Sequence, residues 1–146
     1  MSPRTAARLA WSLCDAVLAV FALSLLLIFL GWSTPLPKGW GSWQAQIIST
    51  VGFMCAPVLG GLIASRRPQN LYGWLWLGLG VSAALLQLAG SYSAYAIVVE
   101  PGSLSAPRTV SQVLGIAWGV GVTLLPFLLL LFPDGKLPSR RWRPVA

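Results

Sequence analysis

Charge is confined to a few short stretches of this chain, and nothing else constrains its fold as strongly. Twenty-two uncharged residues separate Asp15 from Lys38, 27 separate Lys38 from Arg66, 32 separate Arg67 from Glu100, and 25 separate Arg108 from Asp134. A bilayer core about 30 Å thick is crossed by roughly 20 apolar residues of helix, each rising about 1.5 Å. Each run is therefore long enough for one crossing and not comfortably long enough for two. Only 9% of the 146 residues are charged and 56% are hydrophobic, whereas a soluble domain carries roughly 25% charged residues. A soluble helical core would need polar faces to meet water, and these runs lack them. Disorder is excluded by the same apolar content.

The expected fold is all-α: a polytopic membrane protein with four transmembrane helices over about 9–32, 47–65, 71–99 and 110–132. These form a single transmembrane domain across 1–146, with a basic tail at 133–146 and no soluble domain. The start of the chain also has the look of a secretory signal peptide. However, the stretch from Gly31 to Lys38 offers no A-x-A-like cleavage site, so the first span is read as retained.

With four crossings both termini share a side. That side holds Arg4, Arg8, Arg66, Arg67, Lys136, Arg140, Arg141 and Arg143, while Lys38 and Arg108 lie on the other. The positive-inside bias over short loops places both termini in the cytoplasm. Arg66, Arg67, Lys136, Arg140, Arg141 and Arg143 are the expected contacts to anionic phospholipid headgroups, at about 1 kcal/mol each near the surface. The basic tail directly follows a membrane span, so lipid rather than nucleic acid is its expected partner.

Within lipid, spans associate mainly through small residues that let backbones approach. Gly52, Ala56, Gly60 and Ala64 recur every four residues in the second span. Gly115 and Gly119 form a GxxxG pair in the fourth, with Ala117 and Gly121 beside them. Both stripes are expected packing faces, against another helix of the chain or a second copy. Pro57 and Pro126 each remove a backbone donor inside a span and are expected to bend it. Trp32, Trp40 and Trp43 read as anchors at one interface, Trp11, Tyr72, Trp74, Trp76 and Trp142 at the other. Trp118 lies well inside the fourth span and faces lipid or a neighbouring helix. The third run is longer than a bilayer needs. Tilt, or an end lying partly in the interface around Ser91, Tyr92, Ser93 and Tyr95, would absorb the excess.

Chemistry is scarce. With no histidine, imidazole bases, Ser-His-Asp triads, His-ligated metals and a histidine phosphoacceptor are all excluded. No phosphate-binding loop or carboxylate cluster occurs, so no catalytic, cofactor or metal site is expected, and the chain is not read as an enzyme. Cys14 and Cys55 sit at different depths, which argues against a disulfide. The intramembrane polar residues are Asp15, near one end of its helix, and Gln87, which is deeper and expected to bond across the bundle. Serine and threonine hydroxyls bond back to their own helix and carry little weight.

Two segments carry a resemblance. The loop Arg66-Arg67-Pro68-Gln69-Asn70-Leu71-Tyr72-Gly73-Trp74-Leu75 is followed by a long apolar helix. Later comes Leu131-Phe132-Pro133-Asp134-Gly135-Lys136-Leu137-Pro138-Ser139-Arg140-Arg141-Trp142-Arg143-Pro144. Together they resemble the N-terminal multi-pass membrane region of bacterial, actinobacterial-type sensor histidine kinases. Members of that family often read Asn-Pro-Ile-Gly-Trp where this chain has Asn-Leu-Tyr-Gly-Trp. The resemblance implies a sensory or anchoring module of the bacterial cytoplasmic (inner) membrane. It would lack the catalytic output in this chain and would work with a kinase output partner or as a homo-oligomer. The alternatives are a small oligomeric transporter using Asp15 as its coupling carboxylate, and a structural membrane subunit.

Overall fold

The computed structural model describes residues 2–132, and these are helices joined by short loops, with no strand among them. Helix α1 spans Pro3–Leu30, α2 Trp43–Phe53, α3 Cys55–Arg66, α4 Leu71–Ala94 and α5 Pro107–Leu130. A single π-helical turn, Tyr95–Val99, extends α4. Taking α2 with α3, and α4 with its π turn, four helical stretches of 28, 24, 29 and 24 residues are long and apolar enough to cross a membrane. This is the architecture of a multi-pass membrane protein.

Local chemistry sets the helix starts. The Ser2 hydroxyl accepts from the Thr5 amide, and Pro3 occupies the first turn, so α1 begins six residues before the apolar pattern does. Ser42 accepts from the Ala45 amide and starts α2 at Trp43, ahead of the expected position 47. The Asn70 side chain accepts from the Tyr72 amide at the start of α4.

Pro57 and Pro126 act differently. Pro57 is fully buried, and its missing donor leaves the Phe53 carbonyl without a helical partner. The second span is interrupted at Met54, between α2 and α3. Pro126 is exposed near the end of α5, which runs on through it without interruption. Only four helical residues follow it.

Three layers of core join α1 to the rest. Toward the basic end, Ala10 and Cys14 of α1 meet Ala64 of α3 and Leu77 of α4. In the middle, Val17 and Phe21 meet Ala83 and Ala84 of α4. At the far end, Ile28 meets Trp43 and Ala94. The α1 positions 10, 14, 17, 21 and 28 fall at three-, four- and seven-residue steps, one face of a helix.

Helices α3 and α4 approach backbone to backbone. A Cβ added to Gly60 would lie 2.5 Å from the Leu77 amide nitrogen, one on Gly73 2.6 Å from the Ala64 nitrogen, and one on Gly80 2.9 Å from the Pro57 nitrogen. Backbone meets backbone, the approach that small residues permit in lipid. Of the expected stripe, Ala56, Gly60 and Ala64 are buried, while Gly52, above the Met54 break, has open space around it.

Helix α5 packs along α4 and has no comparable contact with α1, α2 or α3. Its buried residues are Ala117, Gly121 and Leu128, and a Cβ on Gly121 would lie 3.3 Å from the Ser82 Cβ. Gly115 and Gly119, expected to pack, have nothing within 4 Å of a Cβ. Each lies two residues from a contact position, which is about 200° around a helix, so the GxxxG pair faces away from α4.

Candidate functional site

The polar centre of the bundle is Gln87 of α4. Its Nε2 donates to Ser49 Oγ at 2.9 Å, to Thr50 Oγ1, and at 3.4 Å to the Gln46 carbonyl, tying α4 to α2. Ser49 and Thr50 also bond back to their own helix, donating to the Gln46 carbonyl at 3.0 and 2.6 Å. With their protons spent there, both hydroxyls present lone pairs to Gln87. The Gln46 carbonyl can only accept, so the amide nitrogen faces this cluster. The amide oxygen, Oε1, accepts no hydrogen bond among the described residues. No polar side-chain atom there is both sealed and unpartnered, so Oε1 is open to space.

Gln87 lines two clefts. One, of about 300 Å³, lies toward the far end and is lined by Gln46, Ser93, Ser111 and Trp40. The other, of about 240 Å³, runs between α4 and α5 and is lined by Phe53, Leu86, Trp118, Val122 and Leu125. Phe53, Trp118, Val122 and Leu125 are exposed on the outer surface of the bundle, so the second cleft opens toward the membrane. No charged side chain lines either cleft.

The remaining sequence-selected residues lie apart from this centre. Asp15 is exposed on α1 near the basic end and makes no side-chain hydrogen bond among the described residues. Arg66 closes α3 and Arg67 caps it, both exposed beside the start of α4. Lys136, Arg140, Arg141 and Arg143 lie outside the described residues, as does most of the second family-like segment. The first such segment is an ordered turn, in which the Trp74 indole N–H donates to the Pro68 carbonyl at 3.0 Å. Tyr72 packs edge-on against Trp76 and Phe132, joining the start of α4 to the end of α5. Cys14 is buried and Cys55 exposed, both free thiols. Among the described residues no three His, Cys, Asp or Glu side chains gather.

Trp43 departs from its expected place at the interface. It is buried against Ile28, Ala94 and Val99, its indole ring lies where a Cβ on Gly31 would be 2.8 Å away, and its N–H donates to the Thr34 carbonyl at 2.8 Å. The sequence alone gives the hydroxyls of Ser49 and Thr50 little weight. Their available signal was spacing, since positions 46, 49 and 50 share one helix face. Comparison with protein-family models, curated proteins and solved structures returns no match to this chain.

Proposed function

We propose that the chain is a membrane-embedded input module of the bacterial cytoplasmic membrane. Both termini lie inside, and it transmits changes in helix packing to an output partner rather than catalysing a reaction. The observation that carries this reading is the unequal attachment of the four spans. Helices α3 and α4 meet backbone to backbone and α1 packs against both, whereas α5 packs against α4 and makes no comparable contact with the other spans. The most apolar window of α5 is 11% buried, against 28–33% in the other spans. A one-sided helix leading into the basic segment 133–146 is suited to shift against a rigid frame. The arginines at the start of α1 and the end of α3 support the orientation, and the two family-like segments support the sensor-kinase context.

Pulsed electron paramagnetic resonance on the protein in nanodiscs tests the reading, with spin-label pairs at Ser12 and Leu62 (α1 to α3) and at Leu62 and Leu129 (α3 to α5). The first distance is expected to stay single and narrow. The second is expected to be broad or to move as bilayer thickness is changed. An α5 distance as narrow as the reference and unmoved across bilayers would overturn the proposal. So would proton-driven uptake into vesicles that Asp15→Asn abolishes, which is the outcome a transporter requires.

A further inference from the structure

We propose that the paired clefts at Gln87 form a binding site for an uncharged amphiphile, a single-chain neutral lipid with a hydroxyl-bearing head such as a monoacylglycerol. This assignment does not depend on the input-module reading. Its first support is the division of the site. The cleft toward the far end offers Gln46, Ser93 and Ser111, while the cleft toward the membrane offers Phe53, Trp118 and Val122. Gln87 lines both, so a ligand lying across it has its head among amides and hydroxyls and its chain among apolar side chains. Together the clefts fall within the size range of small-molecule sites, roughly 300–1,000 Å³.

The second support is the state of the Gln87 amide. Its nitrogen is committed to α2 through three acceptors, which fixes the side chain and leaves Oε1 as a positioned acceptor at membrane depth. An acceptor in an apolar setting favours a ligand that brings a hydroxyl donor. The third support is charge. With no cationic or anionic side chain lining either cleft, a carboxylate or phosphate head would lose its hydration without compensation. A neutral head loses far less. Entry is lateral, because the apolar cleft opens on the outer surface of the bundle beside the exposed Phe53, Trp118 and Val122.

The test uses the full chain in phosphatidylcholine nanodiscs with a photoactivatable diazirine monoacylglycerol, the labelled peptides being read by mass spectrometry. Saturable labelling of peptides containing Phe53, Trp118 or Val122 is expected, competed by unlabelled monoacylglycerol. Lysophosphatidic acid of the same chain length should compete at least tenfold less well. Gln87→Leu should weaken labelling about tenfold. Ser49 and Thr50 keep their bonds to the Gln46 carbonyl in that variant, so their hydroxyls stay paired while the link from α4 to α2 is lost. Val122→Trp, which fills the apolar cleft from its α5 side and alters none of the residues that bond Gln87, should block labelling with the thermal midpoint unchanged. Unsaturable labelling spread over all lipid-facing surfaces would overturn the proposal. Equal competition by the anionic lipid, full labelling of both variants, or labelling that requires a second copy of the chain in the disc would each do the same.

Discussion

The α3–α4 contact makes a quantitative claim through Gly60. Adding one methyl group there, Gly60→Ala, puts a carbon 2.5 Å from the Leu77 nitrogen and 2.8 Å from the Gly73 carbonyl oxygen, where ordinary contact begins at 3.4 Å. Both are backbone atoms with no rotamer to yield, so the helices must part by about 0.9 Å. A gap of roughly 0.5–1 Å forfeits a quarter to a half of each dispersion contact along the seam, and overpacking of this kind costs about 1–3 kcal/mol. Against it stands the gain of about 0.5–1 kcal/mol that alanine brings to any helix interior in place of glycine. The expected net loss is about 1–2 kcal/mol. Gly52→Ala is the matched control: same substitution, same span, nothing within 4 Å, and an expected gain of about 0.5–1 kcal/mol. The variants should therefore differ by about 2 kcal/mol, more than tenfold in the folded-to-unfolded ratio. Equilibrium unfolding in mixed micelles with increasing dodecyl sulfate, followed by circular dichroism, reads this directly. A Gly60→Ala protein that unfolds at the same detergent fraction as Gly52→Ala, or a higher one, would refute the argument that backbone proximity holds these helices.

Trp43→Ala should cost about 3 kcal/mol through the cavity left against Ile28, Ala94 and Val99, whereas Trp118→Ala, at a side chain 64% exposed, should leave the same unfolding midpoint within about 0.5 kcal/mol; equal losses would contradict the burial of Trp43. In a background lacking Cys14 and Cys55, the pair Ser82→Cys and Gly121→Cys should oxidise to an intramolecular disulfide, since their Cβ positions are 3.3 Å apart and a slight parting of α4 and α5 brings them into the roughly 3.5–4.5 Å that a disulfide needs. A Gly115→Cys and Ser82→Cys pair should not, and its cross-linking on gels would show that α5 is rotated from the face described.

Much of this architecture is legible in the sequence because lipid imposes one dominant rule, that backbone polar groups be satisfied within each span. Charge-free runs then translate directly into helices, and the four runs place the four spans to within a few residues. What escaped is what depends on which surfaces meet. Trp43 beside a Pro- and Gly-rich loop has the pattern of an interface anchor, and only Gly31 and Val99, brought from other segments, turn it into core. The GxxxG spacing of Gly115 and Gly119 marks a face capable of close approach without saying whether α4 lies on that face, and it lies opposite. Ser49 and Thr50 were discounted because such hydroxyls bond to their own helix. They do so here, yet their lone pairs still receive Gln87. The third run ends in a π turn at Tyr95–Val99, whose i→i+5 bond runs from the Glu100 amide to the Tyr95 carbonyl at 2.9 Å, a device with no residue signature in this stretch.

The position of the polar centre follows from Pro57. By interrupting the second span at Met54, it divides that span into two halves with different means of attachment to α4. The half on the basic side, α3, carries Pro57, Gly60 and Ala64 into direct contact with Gly73, Leu77 and Gly80. The half on the far side, α2, has no such notch; Gly52 meets nothing, and α2 touches α4 far less than α3 does. Separation on that side has two consequences. It leaves room for the clefts at Gln46, Gln87 and Phe53, and it requires a longer tether than a methyl contact to hold α2 in place, which the Gln87 amide supplies by reaching Ser49, Thr50 and Gln46. A glutamine at this depth would be costly in a uniformly close-packed bundle. Here it bridges the gap between α2 and α4, so the interrupted helix, the polar link and the clefts lie together on the far side of the break.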